Sequence, residues 1–207
     1  MKDDVFKTIN RPGSEILFKE KASKFFAYSF PILSETEVEA AIDSLKSKHS
    51  KAGHFCYAWQ MGESYEHFRV NDDGEPSNSA GMPILGQLQN FEMTNTLVVV
   101  VRYFGGTKLG VGGLISAYKT AAKMALESSN IITKTINLEF DVVCEYDKMN
   151  LVMRLVKEYD LDILSQDLKL NCKFKISVRK KEFESIFKKF DTVFGFQVSS
   201  EHKPEEE

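Results

Sequence analysis

Val99-Val100-Val101-Arg102-Tyr103-Phe104-Gly105-Gly106-Thr107-Lys108-Leu109-Gly110-Val111-Gly112-Gly113-Leu114 is the most biased stretch of the chain. Its apolar opening reads as a buried strand over 96–103, because the run from Leu97 is stopped by Arg102 long before the ~20 residues a membrane span requires. Five of the twelve glycines fall between 105 and 113, and apolar spacing then predicts a helix from about 114 to 128. A glycine-rich loop between strand and helix lets backbone N–H groups approach an anion closely, since no Cβ holds the ligand away. Gly105, Gly106, Gly110, Gly112 and Gly113 are therefore expected to contact an anionic partner, with Arg102 and Lys108 supplying charge. The spacing fits neither named fingerprint: Ile115 stands where GxGxxG needs its third glycine, and no GK[ST] triplet exists. The plain alternative is that these glycines serve tight turns and helix–strand packing.

Upstream, Glu15–Lys19 and Lys24–Phe30 are short aromatic-rich runs, predicted as a hairpin. Ser34 with Glu37 is a capping box opening a helix over about 35–49, with Val38, Ala41, Ile42 and Leu45 at helical spacing. His54, Cys56 and Ala58 alternate with Phe55, Tyr57 and Trp59 as in a strand, with 66–70 as its partner. His54 and Cys56 share a face, a spacing compatible with a second site, although a small inward Cys beside a hydrogen-bonded His is the favoured explanation. Asn71-Asp72-Asp73-Gly74-Glu75-Pro76-Ser77 is turn chemistry. Asp72, Asp73 and Glu75 could orient the glycine loop or hold Mg²⁺ beside a phosphate. A short helix over 80–88, with Pro83 in its first turn, follows.

Beyond Asn130 the pattern becomes strand 135–145, helix 147–159, strand 161–166, strand 168–178, helix 180–190, strand 192–199. This βαββαβ order is ferredoxin-like. Ile136, Leu138, Phe140, Val142 and Cys144 share one face of the first strand, as do Leu168, Leu170, Cys172, Phe174, Ile176 and Val178 of the third. Eight basic residues against two acidic ones lie between 169 and 189. Lys169, Lys173, Lys175 and Arg179 occupy the outward face, either to bind RNA or to pair with Glu139, Asp141 and Glu145 on the neighbouring strand; the absence of stacking aromatics favours the ladder. The expected organisation is an N-terminal domain over 1–131, a ferredoxin-like domain over 132–200 and a mobile acidic tail over 201–207.

The net charge of −3 provides no global field for nucleic acid or anionic lipid, so any such contact must be local. Cys56, Cys144 and Cys172 include no CxxC pair and read as reduced thiols, and the charged start Met1–Lys7 lacks a signal peptide's apolar stretch. A cytoplasmic protein with no membrane role is expected; its oligomeric state is left open.

Lys21-Ala22-Ser23-Lys24-Phe25, His54-Phe55-Cys56-Tyr57-Ala58, the run from Asp72 to Pro83 and the run from Val99 to Leu114 together resemble the signature of the YigZ/Impact family, covering about 15–128. The resemblance implies an α+β fold: an N-terminal domain like domain 2 of ribosomal protein S5, followed by a C-terminal ferredoxin-like domain. It implies a role in translation control, with RNA, the ribosome or a protein of that system as partner. Eukaryotic relatives act through an extra N-terminal partner-binding domain, so their particular activity is not expected here, the first motif already beginning near residue 21. The leading expectation is a non-catalytic binding protein without a cofactor. The alternative is a phosphate- or nucleotide-handling enzyme using the same loop with an acidic Mg-binding turn, since the N-terminal fold also resembles that of small-molecule kinases.

Overall fold

A computed structural model describes residues 4–202, and the chain divides into two compact units, Phe6–Lys134 and the residues from Thr135 onward together with the start of the chain to Val5. The acidic tail lies, from residue 203, outside the described residues. Among the described residues no helix is long and apolar enough to cross a membrane.

The first unit is built on a five-stranded sheet in the order β2-β3-β6-β4-β5: β2 Ile16–Glu20, β3 Ser23–Pro31, β6 Thr96–Tyr103, β4 His54–Met61 and β5 His67–Asn71. All neighbours are antiparallel. Lys21 and Ala22 join β2 to β3 with φ of 41° and 65°, the paired positive values of a tight hairpin turn. Central β6 is apolar from Leu97 to Val101 because both of its faces are covered. On one side lie α2, Gly81–Asn90, and α3, Gly110–Glu127, packed on Phe25, Ala27, Cys56, Ala58, Val98 and Val100. The small residues Ala117, Ala121, Ala122 and Ala125 let α3 lie close to the strands. On the other side α1, Glu35–Lys48, buries Val38, Ile42 and Leu45 against Tyr28, Trp59, Val99 and Val101. Ser34 caps α1 by accepting from the Glu37 N–H at 3.3 Å. Beneath its C-terminus a polar cluster sits among rings: the Tyr28 hydroxyl meets Glu15 at 2.6 Å and His49 Nε2 at 2.5 Å, and His49 Nδ1 meets the Tyr103 hydroxyl at 3.0 Å.

Three differences from the sequence reading concern where elements begin and two strands it did not contain. The helix expected from 114 begins at Gly110, so the glycine run is half loop and half helix; glycine's helix penalty is mild where the first turn is only half hydrogen-bonded. Two short strands were not anticipated: β1, Val5–Ile9, pairs with β7, Ile131–Thr135, in a separate two-stranded sheet. The third strand of the second unit starts at Cys172 rather than 168, and Leu168 and Leu170, expected inward, are 40% and 94% exposed. Leu168 instead ends the preceding strand and pairs with Cys172 across the hairpin.

The second unit has β8 Asn137–Cys144, α4 Met149–Glu158, β9 Asp162–Leu168, β10 Cys172–Arg179, α5 Phe183–Asp191 and β11 Phe196–Ser199, with sheet order β11-β8-β10-β9, the ferredoxin-like arrangement. Its core joins Phe140, Val142, Phe174 and Ile176 to Val152 of α4 and to Phe183, Phe187 and Phe190 of α5. The outward lysines are paired: Lys173 Nζ lies 3.3 Å from Asp141, Lys175 Nζ 3.3 Å from Glu139, and Arg179 bonds Asp4. The two lysine pairs are diagonal, since the register sets Lys175 opposite Asp141 and Ser177 opposite Glu139. The cross-strand ladder is thus the arrangement present. Cys144 and Cys172 face each other across β8 and β10 as free, buried thiols.

Candidate functional site

The sequence candidates separate into two groups in the first unit, one tied into the fold and one open at the start of α3. The turn after β5 is wired inward by its acids. Asp72 Oδ1 accepts from the N–H groups of Ala80 and Gly81 at 2.9 and 2.8 Å, and its Oδ2 from Asn78 N–H at 2.8 Å, which holds the start of α2. Asp73 Oδ2 accepts from Phe55 N–H at 2.6 Å. Glu75 Oε1 accepts from Arg102 Nη1 at 2.6 Å and from the Tyr118 hydroxyl at 2.7 Å. Each carboxylate thus faces different donors, and among the described residues no group of three His, Cys, Asp or Glu is placed to hold a metal.

His54 and Cys56 belong to this wiring. His54 Nδ1 donates to the Asp73 carbonyl at 2.8 Å. Cys56 Sγ donates to the Asp72 carbonyl at 3.0 Å and lies 3.2 Å from the Tyr118 hydroxyl. Burial pushes the Cys56 thiol and the Tyr118 phenol far up from their ordinary ranges, so both are neutral near pH 7 and Cys56 is no thiolate nucleophile.

Arg102, expected to offer charge to an anion, does not do so. Its side chain is 6% exposed and is ion-paired with a Glu75 side chain 4% exposed. Nη2 bonds Ser23 Oγ at 3.4 Å, and the guanidinium lies between the rings of Phe25 and Phe104 at 5.6 and 5.5 Å. Only Nε is without a hydrogen-bond partner. The reason is register: Val98, Val100 and Arg102 point to the same covered face of β6, so the charge goes inward and needs a partner there. Ser23 and Tyr118, not singled out from sequence, complete the network. Their signal was the alternation that puts Ser23 at the head of β3 and Tyr118 on the buried stripe of α3.

Gly105 also serves the fold. A Cβ there would stand 2.1 Å from the Ala22 carbonyl carbon, so only glycine lets this loop cross the β2–β3 turn. Gly113 is tight as well, its Cβ position 3.1 Å from that of Leu109.

Gly106, Gly110 and Gly112 form the exposed group with Lys108. Gly106 and Gly110 have φ of 89° and 73°, which call for glycine whatever the space. Gly112 does not: its φ is ordinary and a Cβ would meet nothing within 4 Å. Lys108 is exposed. The 18-residue α3 opens with no side-chain cap and no acid in its first turn, leaving N–H groups and the positive end of the helix dipole free. Phe104, Val111 and Ile115 are exposed around it at 56%, 52% and 39%.

Comparison with known proteins places this geometry among relatives. The Impact N-terminal domain matches residues 21–126. An IMPACT family member of Haemophilus influenzae is 33% identical over 178 residues, covering 84% of this chain and 86% of the relative. The IMPACT family member YigZ of Escherichia coli is 35% identical over 153 residues, 71% of this chain and 73% of the relative. A crystal structure of a hypothetical protein superposes with a TM-score of 0.73 at 26% identity, covering 97% of this chain and 99% of that one.

Proposed function

This chain belongs to the IMPACT family, and on that premise we propose that it is a non-catalytic binding protein of translation that engages the phosphate backbone of ribosomal RNA through the start of α3. The observation that carries the reading is Gly112. A residue other than glycine would fit there and would favour the helix, by less than the ~1 kcal/mol of a helix interior, so the fold has no need of glycine at this point, whereas a ligand pressed against the backbone does. Uncapped N–H groups, the helix dipole and Lys108 supply what a phosphate binds. Exposed Phe104 adds a surface on which a base can stack. Asp72, Asp73 and Glu75, spent on the turn, support the site by fixing its frame. The alternative, a Mg-dependent phosphate enzyme, would have to draw on these same carboxylates, each of which already accepts from protein donors.

Sucrose-gradient sedimentation of lysate at low and high salt tests this. Native protein should travel with ribosomal particles at low salt and be released at high salt, as phosphate contacts require. Gly112→Asp should remain at the top of the gradient while staying folded, since an acid in the first turn suits the dipole but repels an anion. Native protein at the top of the gradient, or a variant that travels with the particles as native does, would overturn the reading.

A further inference from the structure

On the opposite face of the same sheet, the face covered by α1, lies a groove that the reading above does not use. Two cavities of about 730 and 330 Å³ follow one another along β4. Their floor is one alternating row of that strand: Trp59 and Met61 in the larger, Phe55 and Tyr57 in the smaller. Phe55, Tyr57 and Met61 are only half-buried. One wall is edge strand β5, whose Arg69 and Asn71 stand opposite Trp59 and Tyr57. The other wall is α1, which presents Glu35 to the larger cavity and Glu39 and Asp43 to the smaller.

Those three carboxylates recur every four residues and so stand about 6 Å apart along one side of the helix. Within the molecule they are poorly neutralised. Asp43 has Lys46 at 3.9 Å on its own helix, and Glu39 forms no ion pair among the described residues. Glu35 is reached from across the groove: Arg69 Nη1 lies 3.3 Å from its Oε2, with the two side chains 59% and 61% exposed. An exposed pair of this kind is held weakly, so Arg69 is an exchangeable strap, an internal cation in the place an external one would take.

We propose that this groove binds a basic segment of a partner protein, its lysines or arginines on Glu35, Glu39 and Asp43 and its intervening apolar side chains on the half-buried Phe55, Tyr57 and Met61. Alternate residues of an extended chain are ~6.6 Å apart, which matches the step between carboxylates. The acidic wall repels phosphate, so the site selects against the nucleic acid that the start of α3 would attract, and the two faces take ligands of opposite charge.

Fluorescence anisotropy on the full chain at low salt tests the proposal, with a short fluorescein-labelled peptide alternating lysine and leucine as probe and its glutamate counterpart as control. The lysine peptide should bind and the glutamate peptide should not. Glu39→Lys should weaken binding about tenfold or more by like-charge juxtaposition. Arg69→Ala should tighten it, because the competing internal cation is gone, and Gly112→Asp should leave it unchanged. Both groove substitutions are at exposed positions, and the single tryptophan, Trp59, reports whether the unit remains folded. No binding of the lysine peptide, binding indifferent to Glu39→Lys, or weaker binding by Arg69→Ala would overturn the proposal. So would a dimer of the unlabelled chain in sedimentation that Glu39→Lys dissociates, which would make a second copy the occupant.

Discussion

Arg102 and Glu75 meet at 2.6 Å with side chains 6% and 4% exposed, whereas Lys175 and Glu139 meet at 3.3 Å with side chains 43% and 51% exposed. Both pairs lie in stretches that the sequence singles out as candidate ligand sites, and in both the charges turn out to answer one another. The difference is hydration. The first pair is buried and held by hydrogen bonds from Tyr118 and to Ser23 as well as by its own, so each member depends on the others. The second keeps its water, and either partner can leave with little loss. A charged residue in a sequence thus takes its meaning from the strand face on which it falls.

Breaking the buried pair should have the largest effect. Glu75→Ala strands the guanidinium between two rings and should cost about 3–5 kcal/mol, read by urea unfolding through Trp59 fluorescence. Replacing Arg102 and Glu75 together by leucine should recover much of that loss. A cost below about 1 kcal/mol for the single variant would put the pair in the same class as the surface ladder. Tyr118→Phe removes one donor to Glu75 and one neighbour of the Cys56 thiol, and about 1–3 kcal/mol should be lost in the same assay.

Gly112→Ala should raise the stability of the first unit by less than about 1 kcal/mol, the helix-interior value, and a destabilised variant would show that the start of α3 needs its glycine for the fold after all. In the second unit, Lys175→Ala should cost less than about 1 kcal/mol, and the difference should fade at high salt. Calorimetry at two ionic strengths measures it.

The mildest effect is one of pH. Burial holds His49 below its ordinary value of 6.5, with Lys48 adding to the shift and Glu15 opposing it. The unfolded chain therefore takes up this proton first as the pH falls. Stability should be full above pH 6.5 and decline below it, and His49→Gln should flatten that slope in urea midpoints. Glu15, held below 4.5 chiefly by hydrogen bonds from Lys48 and Tyr28, adds its own loss only under more acid conditions.

Local grammar carried most of the fold. Alternation placed β3, β4, β6 and β8, the Ser34 cap placed α1, and the βαββαβ order placed the second sheet. What escaped depends on distant partners. β1 and β7 are five residues each, and their partners lie more than a hundred positions away, so neither has a local signature. Leu168 and Leu170 continue the apolar alternation of β10 on paper, but the chain spends 169–171 on a hairpin turn. The site was legible as a set of residues and not as roles. The motifs named Arg102, Glu75, Cys56 and the glycines, but which of them are interior rests on a bond spanning 27 positions. For Arg102 the sequence held a usable sign, since it continues the row of Val98 and Val100.

The pairing of β1 with β7 fastens the beginning of the first unit to its end. A polypeptide that enters and leaves at one place is a cassette: it can be inserted into another protein without stretching either flank, and its two original ends can be joined by a short bridge while new ends are opened elsewhere on its surface. Such a piece travels easily through gene fusion, acquiring new neighbours before or behind it while its sheet, its wired turn and both of its faces remain unaltered.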